Sequence, residues 1–298
     1  MANSKFAYVR NFELPDPLLP GTSMVFRLDG HSFHRFSEEH KFSKPNDVRA
    51  LQLMDCAART IMEEYKDIVL GFGESDEFSF LLRKSTSLYN RRQSKICSTL
   101  TSLFTSAYVF HWKTFFPDTS LQYPPSFDGR IVLYPSQREI RDYFSWRQAD
   151  THINNLYNTV FWALVLQGGQ TTTEAHATLR GTVSAQKHEI LFKRYGINYN
   201  ELDPRFRKGS VIVRELVDEP APSETILAQP INNGTSQEPT GLPEQANVAS
   251  PGSLVASNAE KPRPGKKTKT KSRTRIEILH CDIIADDFWT PRPHLLED

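Results

Sequence analysis

No stretch of the 298-residue sequence approaches the roughly 18 consecutive apolar residues of a membrane-crossing helix. The start, Met1-Ala2-Asn3-Ser4-Lys5-Phe6, has no apolar block behind its charge, so the chain is expected to be neither secreted nor membrane-spanning. Cysteine is scarce: Cys56, Cys97 and Cys281 are odd in number and widely spaced, which supports neither a disulfide framework nor a zinc knuckle and suits a reducing compartment such as the cytoplasm. Between Glu219 and Glu260 there are five acids and six prolines and no Lys, Arg or aromatic residue; from Lys261 to Arg275 there are eight basic residues and no acid. Such blocks have too little apolar surface to offset the entropy of ordering, so 219–275 is expected to be a disordered low-complexity insertion or linker. Its basic end could touch phosphates without specificity, act as a nuclear import signal, or only solubilise the chain.

What is present elsewhere is sufficient for a full core: 38% of the chain is hydrophobic and 11% aromatic, and no internal repeat interrupts it. Residues 1–218 are expected to form the ordered domain, with 276–298 as a closing segment that docks back through Ile276–Ile284 and the anchors Phe288 and Trp289.

Acidic residues stand at the ends of two strand-like runs. Asp29 closes Ser23–Leu28, and Asp76-Glu77 open Phe78–Leu82. Gly30 on one side and Gly71 and Gly73 on the other bound these runs as sharp turns. Paired strands lie only about 5 Å apart, so the carboxylates of Asp29 and Asp76 could converge on hard cations, which prefer oxygen ligands. Between them a long amphipathic helix is predicted from Pro45-Asn46-Asp47 through Met62. Further helices are predicted over 89–116, over 138–167 with a break near Asp150, and over 184–195, with strands at 131–134 and 208–214. The fold class is α+β: an antiparallel sheet with helices packed on one side and carboxylates at its rim, the layout of a polymerase or cyclase palm. Carboxylates at strand ends also occur as solvated turn residues, and both readings stand at this point.

Lys44, beside a predicted helix N-terminus with free N–H groups, makes a seat for a triphosphate, where a lone surface lysine is the plainer alternative. Gly30 permits close backbone approach, and its carbonyl could add a metal oxygen. His31, His34 and His40 lack a thiol or fourth ligand at a zinc spacing, and His34 fits better as a donor or stacking face beside a nucleotide. His152, Asn155 and Asn158 recur at helical spacing amid apolar residues, either as hydrogen-bonded buried amides or as a ligand-facing ridge. Arg91, Arg92, Lys95, Arg130 and Lys187 are solvated charges singly and a basic collar for an anionic substrate as a set.

Taken together, Arg27-Leu28-Asp29-Gly30-His31-Ser32-Phe33-His34, Phe42-Ser43-Lys44-Pro45-Asn46-Asp47, Gly73-Glu74-Ser75-Asp76-Glu77-Phe78-Ser79-Phe80 and Ser145-Trp146-Arg147-Gln148-Ala149-Asp150-Thr151-His152-Ile153-Asn154-Asn155-Leu156-Tyr157-Asn158 resemble the tRNA-His guanylyltransferase family. The resemblance covers 1–217 and the closing segment. It implies a palm-like domain that adds a nucleotide to an RNA 5′ end, the reverse of the usual polymerase direction: ATP adenylylates the 5′-phosphate of tRNA-His, the GTP 3′-hydroxyl displaces AMP, and pyrophosphate is removed. It further implies two Mg²⁺ ions held by Asp29, the Gly30 carbonyl and Asp76, with Glu77 assisting. His34, Lys44, Asn46 and Ser75 would seat the activating nucleotide; Arg92, Lys95, Arg130, His152, Asn155, Asn158 and Lys187 would hold GTP or the tRNA end. Reading a distant anticodon implies a homo-oligomer, expected to be a tetramer. A cyclase or dinucleotide synthase and a non-catalytic RNA-binding protein are the competing readings.

Overall fold

In the computed structural model, which describes residues 4–217 and 273–297, the first apolar run is strand β1 (Ser23–Gly30), followed by the short helix α1 (Phe33–Glu39) and the long helix α2 (Val48–Glu64). Strands β2 (Ile68–Glu74) and β3 (Glu77–Leu82) form a hairpin. Then come α3 (Gln93–Phe115), β4 (Phe127–Tyr134), α4 (Gln137–Leu166), α5 (Thr172–Leu179), α6 (Ser184–Tyr195), α7 (Pro204–Lys208), β5 (Ser210–Val217), β6 (Arg273–Leu279) and α8 (Asp286–Trp289). The order across the sheet is β4-β1-β3-β2-β5-β6. β1 pairs antiparallel with both β3 and β4, and β2 with both β3 and β5. β1 and β2 therefore run parallel on either side of β3, joined by α1 and α2, a split βαβ arrangement.

The chain divides into two units, Met1–Glu215 with Thr274–Asp298, and Leu216–Arg273; the second lies almost wholly outside the described residues, as does the linker reading of 219–275. The closing strand begins at Arg273, earlier than the boundary at 276 expected from composition.

Alternation along β1 sends Met24, Phe26 and Leu28 to one face and Val25 to the other. The first face packs on Leu53, Ala57 and Ile61 of α2 and on Leu100, Phe104 and Tyr108 of α3. Val25 joins Val69, Leu81, Val211 and Val213 against Tyr143 and Phe144 of α4 and against Ile283, Phe288 and Trp289 of the closing segment. Helices thus cover both faces, where one covered face was expected from sequence. Beyond the sheet, the second half of α4 builds a separate helical core from Leu156, Val160 and Leu164 with Ala175, Leu179, Leu191 and Tyr199.

Other departures have local causes. β2 went unread because Gly71 and Gly73 looked like turns; they lie inside the strand, and a Cβ at Gly73 would meet the Phe78 ring at 2.2 Å. Helix α3 starts at Gln93 instead of 89 because Tyr89, Asn90 and Arg91 have φ of 48°, 53° and 58°, the left-handed region. α4 runs unbroken past Asp150.

Gln148, buried in α4, donates to the carbonyls of Lys208 and Cys281, both at 2.9 Å, and accepts from the Ile283 amide at 2.9 Å. One side chain thereby ties α4 to the end of α7 and to the closing segment. Gln148→Leu leaves these backbone groups buried without a partner, and urea unfolding should show a loss of about 3 kcal/mol; a loss under about 1 kcal/mol would contradict the tie.

Candidate active site

A cleft of about 1100 Å³ lies between the ends of β1 and the β2–β3 hairpin, the start of α2 and one long face of α4. Asp29 stands directly opposite Glu77 across the β1–β3 pair. Asp76 occupies the hairpin turn, and the Gly30 N–H donates to its carbonyl oxygen at 3.1 Å. Ser75, beside it, has φ 50°, an uncommon left-handed conformation for a residue with a side chain and one that collects at functional sites. Gly30 is required for a reason unseen in the sequence: a Cβ there would sit 2.3 Å from the Phe33 ring, which is buried among Phe36, Tyr108 and Phe127.

Burial pushes the Asp76 carboxyl above its ordinary range, and the Asp29 charge adds to the rise. Among the described residues no Lys or Arg pairs with Asp76. Burial also raises Glu74, and pushes Glu77 up to about 7 against the pull of the Arg147 and Arg27 guanidiniums. Sequence reasoning passed over this ion network. Arg27 reaches Asp29 at 3.3 Å and Glu77 at 2.5 Å; Arg147, buried on α4, reaches Glu74 at 3.4 Å and Glu77 at 3.2 Å, and also pairs with Asp150. The period-two rule was the available signal for Arg27, since it shares a face with Asp29. Glu77 is thereby engaged with two arginines while it stays opposite Asp29 and next to Asp76 in the cleft lining.

The other wall begins at Asp47, which caps α2 by accepting from the Arg49 amide at 3.0 Å and also accepts from the Ser43 amide at 2.9 Å. That fixes the turn carrying Lys44, whose ammonium lies 3.2 Å from the Ser37 hydroxyl and 5.4 Å from the centre of the Trp162 ring. Asn46 donates to Asn155 at 2.9 Å, and Asn155 donates to the Tyr199 hydroxyl at 3.0 Å. Asn154, Asn158 and His176 complete this wall.

Of the residues marked from sequence, Asp29, His34, Lys44, Asn46, Ser75, Asp76, Glu77, Asn155 and Asn158 line the cleft. His34 is at its lip, exposed and paired with Glu38 at 3.0 Å. Arg130 faces Arg27 across the β1–β4 pair and binds Asp128 at 3.1 Å. Like Gly30 and Arg130, the remaining four are not part of the cleft lining. Arg92 pairs with Asp16 at 3.2 Å, Lys95 lies over Tyr89, and Lys187 donates to the Thr182 carbonyl at 2.7 Å. His152 packs on Tyr199 and His188, and burial with the nearby His188 and Arg207 charges lowers its pKa. His40 is no ligand: both ring nitrogens are engaged, with the Phe36 carbonyl at 2.8 Å and the Gln122 amide at 2.9 Å.

Among the described residues no group of three or more His, Cys, Asp or Glu side chains gathers as a metal cage. The donor set at the hairpin is instead two mutually repelling carboxylates with a backbone carbonyl at hand. It fits Mg²⁺, which takes one or two carboxylates and completes its shell with water and substrate phosphate.

Acidic oxygen donors facing a lysine and a row of amides across one cleft on an α+β frame characterise enzymes that transfer nucleotides. Comparison with known proteins agrees. A family model described as tRNAHis guanylyltransferase matches residues 6–135, and one described as Thg1 C terminal domain matches 138–285. A Neurospora crassa protein named tRNA(His) guanylyltransferase is 50% identical, over 99% of this chain and 96% of its own length. A Homo sapiens protein named probable tRNA(His) guanylyltransferase is 47% identical, over 100% of this chain and 90% of its own. The crystal structure of the Saccharomyces cerevisiae tRNA(His) guanylyltransferase, 50% identical, superposes with a TM-score of 0.68 over 70% of this chain and 93% of that one. The chain belongs to the tRNA(His) guanylyltransferase family, a family of nucleotidyltransferases.

Proposed function

We propose that this protein adds GMP to the 5′ end of tRNA-His on a palm-like domain formed by 1–218 and the closing segment. The 5′-phosphate is adenylylated by ATP, the GTP 3′-hydroxyl displaces AMP, and pyrophosphate is then removed. The observation that carries this reading is the convergence of Asp29 and Asp76, from separate strand ends, on one side of a cleft whose other side holds Lys44 and Asn46.

Asp29, the Gly30 carbonyl and Asp76 would hold two Mg²⁺ ions, which when bound sharpen the attacking oxygen and neutralise the leaving one. Lys44 and the capped start of α2 seat the triphosphate of the activating nucleotide, with His34, Asn46 and Ser75 around it. Arg27 holds the Asp29 carboxylate in register with Glu77. Asn155 and Asn158 border the space left for GTP or the tRNA end, and Arg130 stands beyond the lining on β4. Arg92, Lys95, His152 and Lys187 are assigned to tRNA contacts away from the cleft, some of them made by neighbouring subunits of a homotetramer. A tetramer lets one subunit meet the acceptor end while another meets the anticodon. Residues 219–272 serve as the linker in this scheme, and their basic end as a nuclear import signal for an otherwise cytoplasmic enzyme.

Incubation of the protein with Mg²⁺, ATP, labelled GTP and 5′-phosphorylated tRNA-His should carry label into the tRNA. A cyclic or dinucleotide product would support the cyclase reading instead, and no product would leave a binding protein. Lys44→Ala should slow activation about ten- to hundred-fold, the range of a lost charge-assisted contact. Transfer to tRNA that already carries a 5′-triphosphate should change much less, because the activating nucleotide is then bypassed. Equal slowing of both reactions would remove Lys44 from the activation seat.

A further inference from the structure

Trp146 is half exposed although large and aromatic, and it lines the cleft. One face of its ring is covered by the Arg147 guanidinium, 4.0 Å from the ring centre, and Tyr143 meets it edge-on at 6.0 Å. The ring is thereby held in place while part of it stays open to solvent. Its backing is rigid, since Arg147 is itself fixed by Glu74, Glu77 and Asp150.

α4 lines the cleft from Trp146 to Trp162, a span of roughly 24 Å at 1.5 Å per residue. Lys44 sits over Trp162 at the far end. Next to Trp146, Arg147 joins Glu77, which is linked through Arg27 to Asp29. A nucleotide seated by Lys44 reaches the carboxylates from the Trp162 end, and in-line displacement requires the other reactant to enter from the opposite side. The Trp146 end is that side. It also presents Arg27, which lines the cleft, with Arg130 opposite it on β4 outside the lining. An aromatic ring beside arginines is the usual platform for an unpaired base at the end of an RNA.

We propose that Trp146 stacks an unpaired nucleobase at the acceptor end of the RNA and so sets the RNA 5′ end in line with the nucleotide seated at Lys44. The inference rests on the transfer reading above. Arg147 backs the ring, and Trp146 itself is a binding and positioning residue with no part in bond making.

Two measurements test it on the full chain. In Trp162→Phe protein the other two tryptophans, Trp112 and Trp289, are buried, so contact quenching by an RNA base reports Trp146. Titration with a 5′-phosphorylated RNA hairpin bearing a single-stranded acceptor end should quench it saturably, and a blunt hairpin should not. This arm needs no turnover, so it reads stacking even if wild-type protein were to incorporate no guanylate, a result that would sink the transfer reading alone. In steady state, Trp146→Ala should raise the KM for RNA about ten-fold or more with kcat for bound RNA changed far less, and Trp146→Phe should recover most of the loss. Absence of quenching would overturn the proposal, as would an unchanged KM for RNA. A rise in the KM for GTP alone would mean that the mononucleotide base stacks there, and altered solution mass with normal RNA kinetics would mean a subunit contact; both overturn it.

Discussion

Asp76→Asn is expected to abolish activation, transfer and pyrophosphate removal together, by on the order of 10³-fold or more, while leaving the protein at least as stable as before. The two halves of this expectation share one cause. Asp76 is partly buried in a strained hairpin turn, has no cationic partner among the described residues and is repelled by Asp29, an arrangement that costs folding free energy until a cation is bound. An amide keeps the shape and removes the charge. The sign follows from linkage: a carboxyl raised in the folded state contributes stability below its unfolded pKa and loses it as pH rises through the folded value. Without divalent metal, the two proteins should therefore melt together at acid pH, and the Asn variant should gain on the wild type as pH rises past the ordinary carboxylate range. Adding Mg²⁺ should raise the wild-type midpoint and leave the variant almost unmoved. Thermal melts across pH with and without Mg²⁺, beside the three separate step assays, check all of this. Residual activity near wild type in any one step would remove Asp76 from the metal site.

Arg147→Met should have the largest effect on stability. Arg147 is 4% exposed and joins Glu74 and Glu77 on the sheet to Asp150 on its own helix. Removing it leaves buried carboxylates without a counter-charge, a change that costs about 3–5 kcal/mol when one partner of a buried pair is lost. Arg27 continues to hold Glu77, so Glu74 is the more exposed to this loss. The triple variant Arg147→Met, Glu74→Gln, Glu77→Gln should recover most of the stability because no buried carboxylate is left without a counter-charge; Asp150, the third partner, reaches solvent. Denaturant unfolding of the single and triple variants decides the matter: a single-variant cost below about 1 kcal/mol, or no recovery in the triple variant, would show that the network does not tie α4 to the sheet.

The half of this site that was legible in sequence is the half built from strand ends. Asp29 and Asp76 bound apolar runs, and runs of that kind pair, so the approach of the end of β1 to the turn before β3 followed from local pattern. Lys44 and Asp47 were legible as a helix start. The ion network was not, because Arg147, Gln148, Thr151 and Asn155 are polar residues on the buried face of α4. They break the 3.6-residue apolar period and suggested a break near Asp150, whereas each has a partner supplied by a remote segment. Gly71 and Gly73 misled for a related reason: their need is set by the Phe78 ring on the paired strand, which local sequence does not reveal. His152 illustrates the limit of motif reading. Its spacing with Asn155 and Asn158 suggested one ridge; His152 packs on Tyr199, the residue that Asn155 also bonds, and on His188, while Asn155 and Asn158 line the cleft.

The central claim is that Asp29 and Asp76 share bound metal. Crystals grown with Mn²⁺ and a triphosphate nucleotide, measured at the manganese absorption edge, test it most directly. Anomalous density within coordination distance of both carboxylates, and of the Gly30 carbonyl, is the predicted result. Manganese bound in the same crystals at other groups, with none between Asp29 and Asp76 beside an ordered nucleotide, would contradict it.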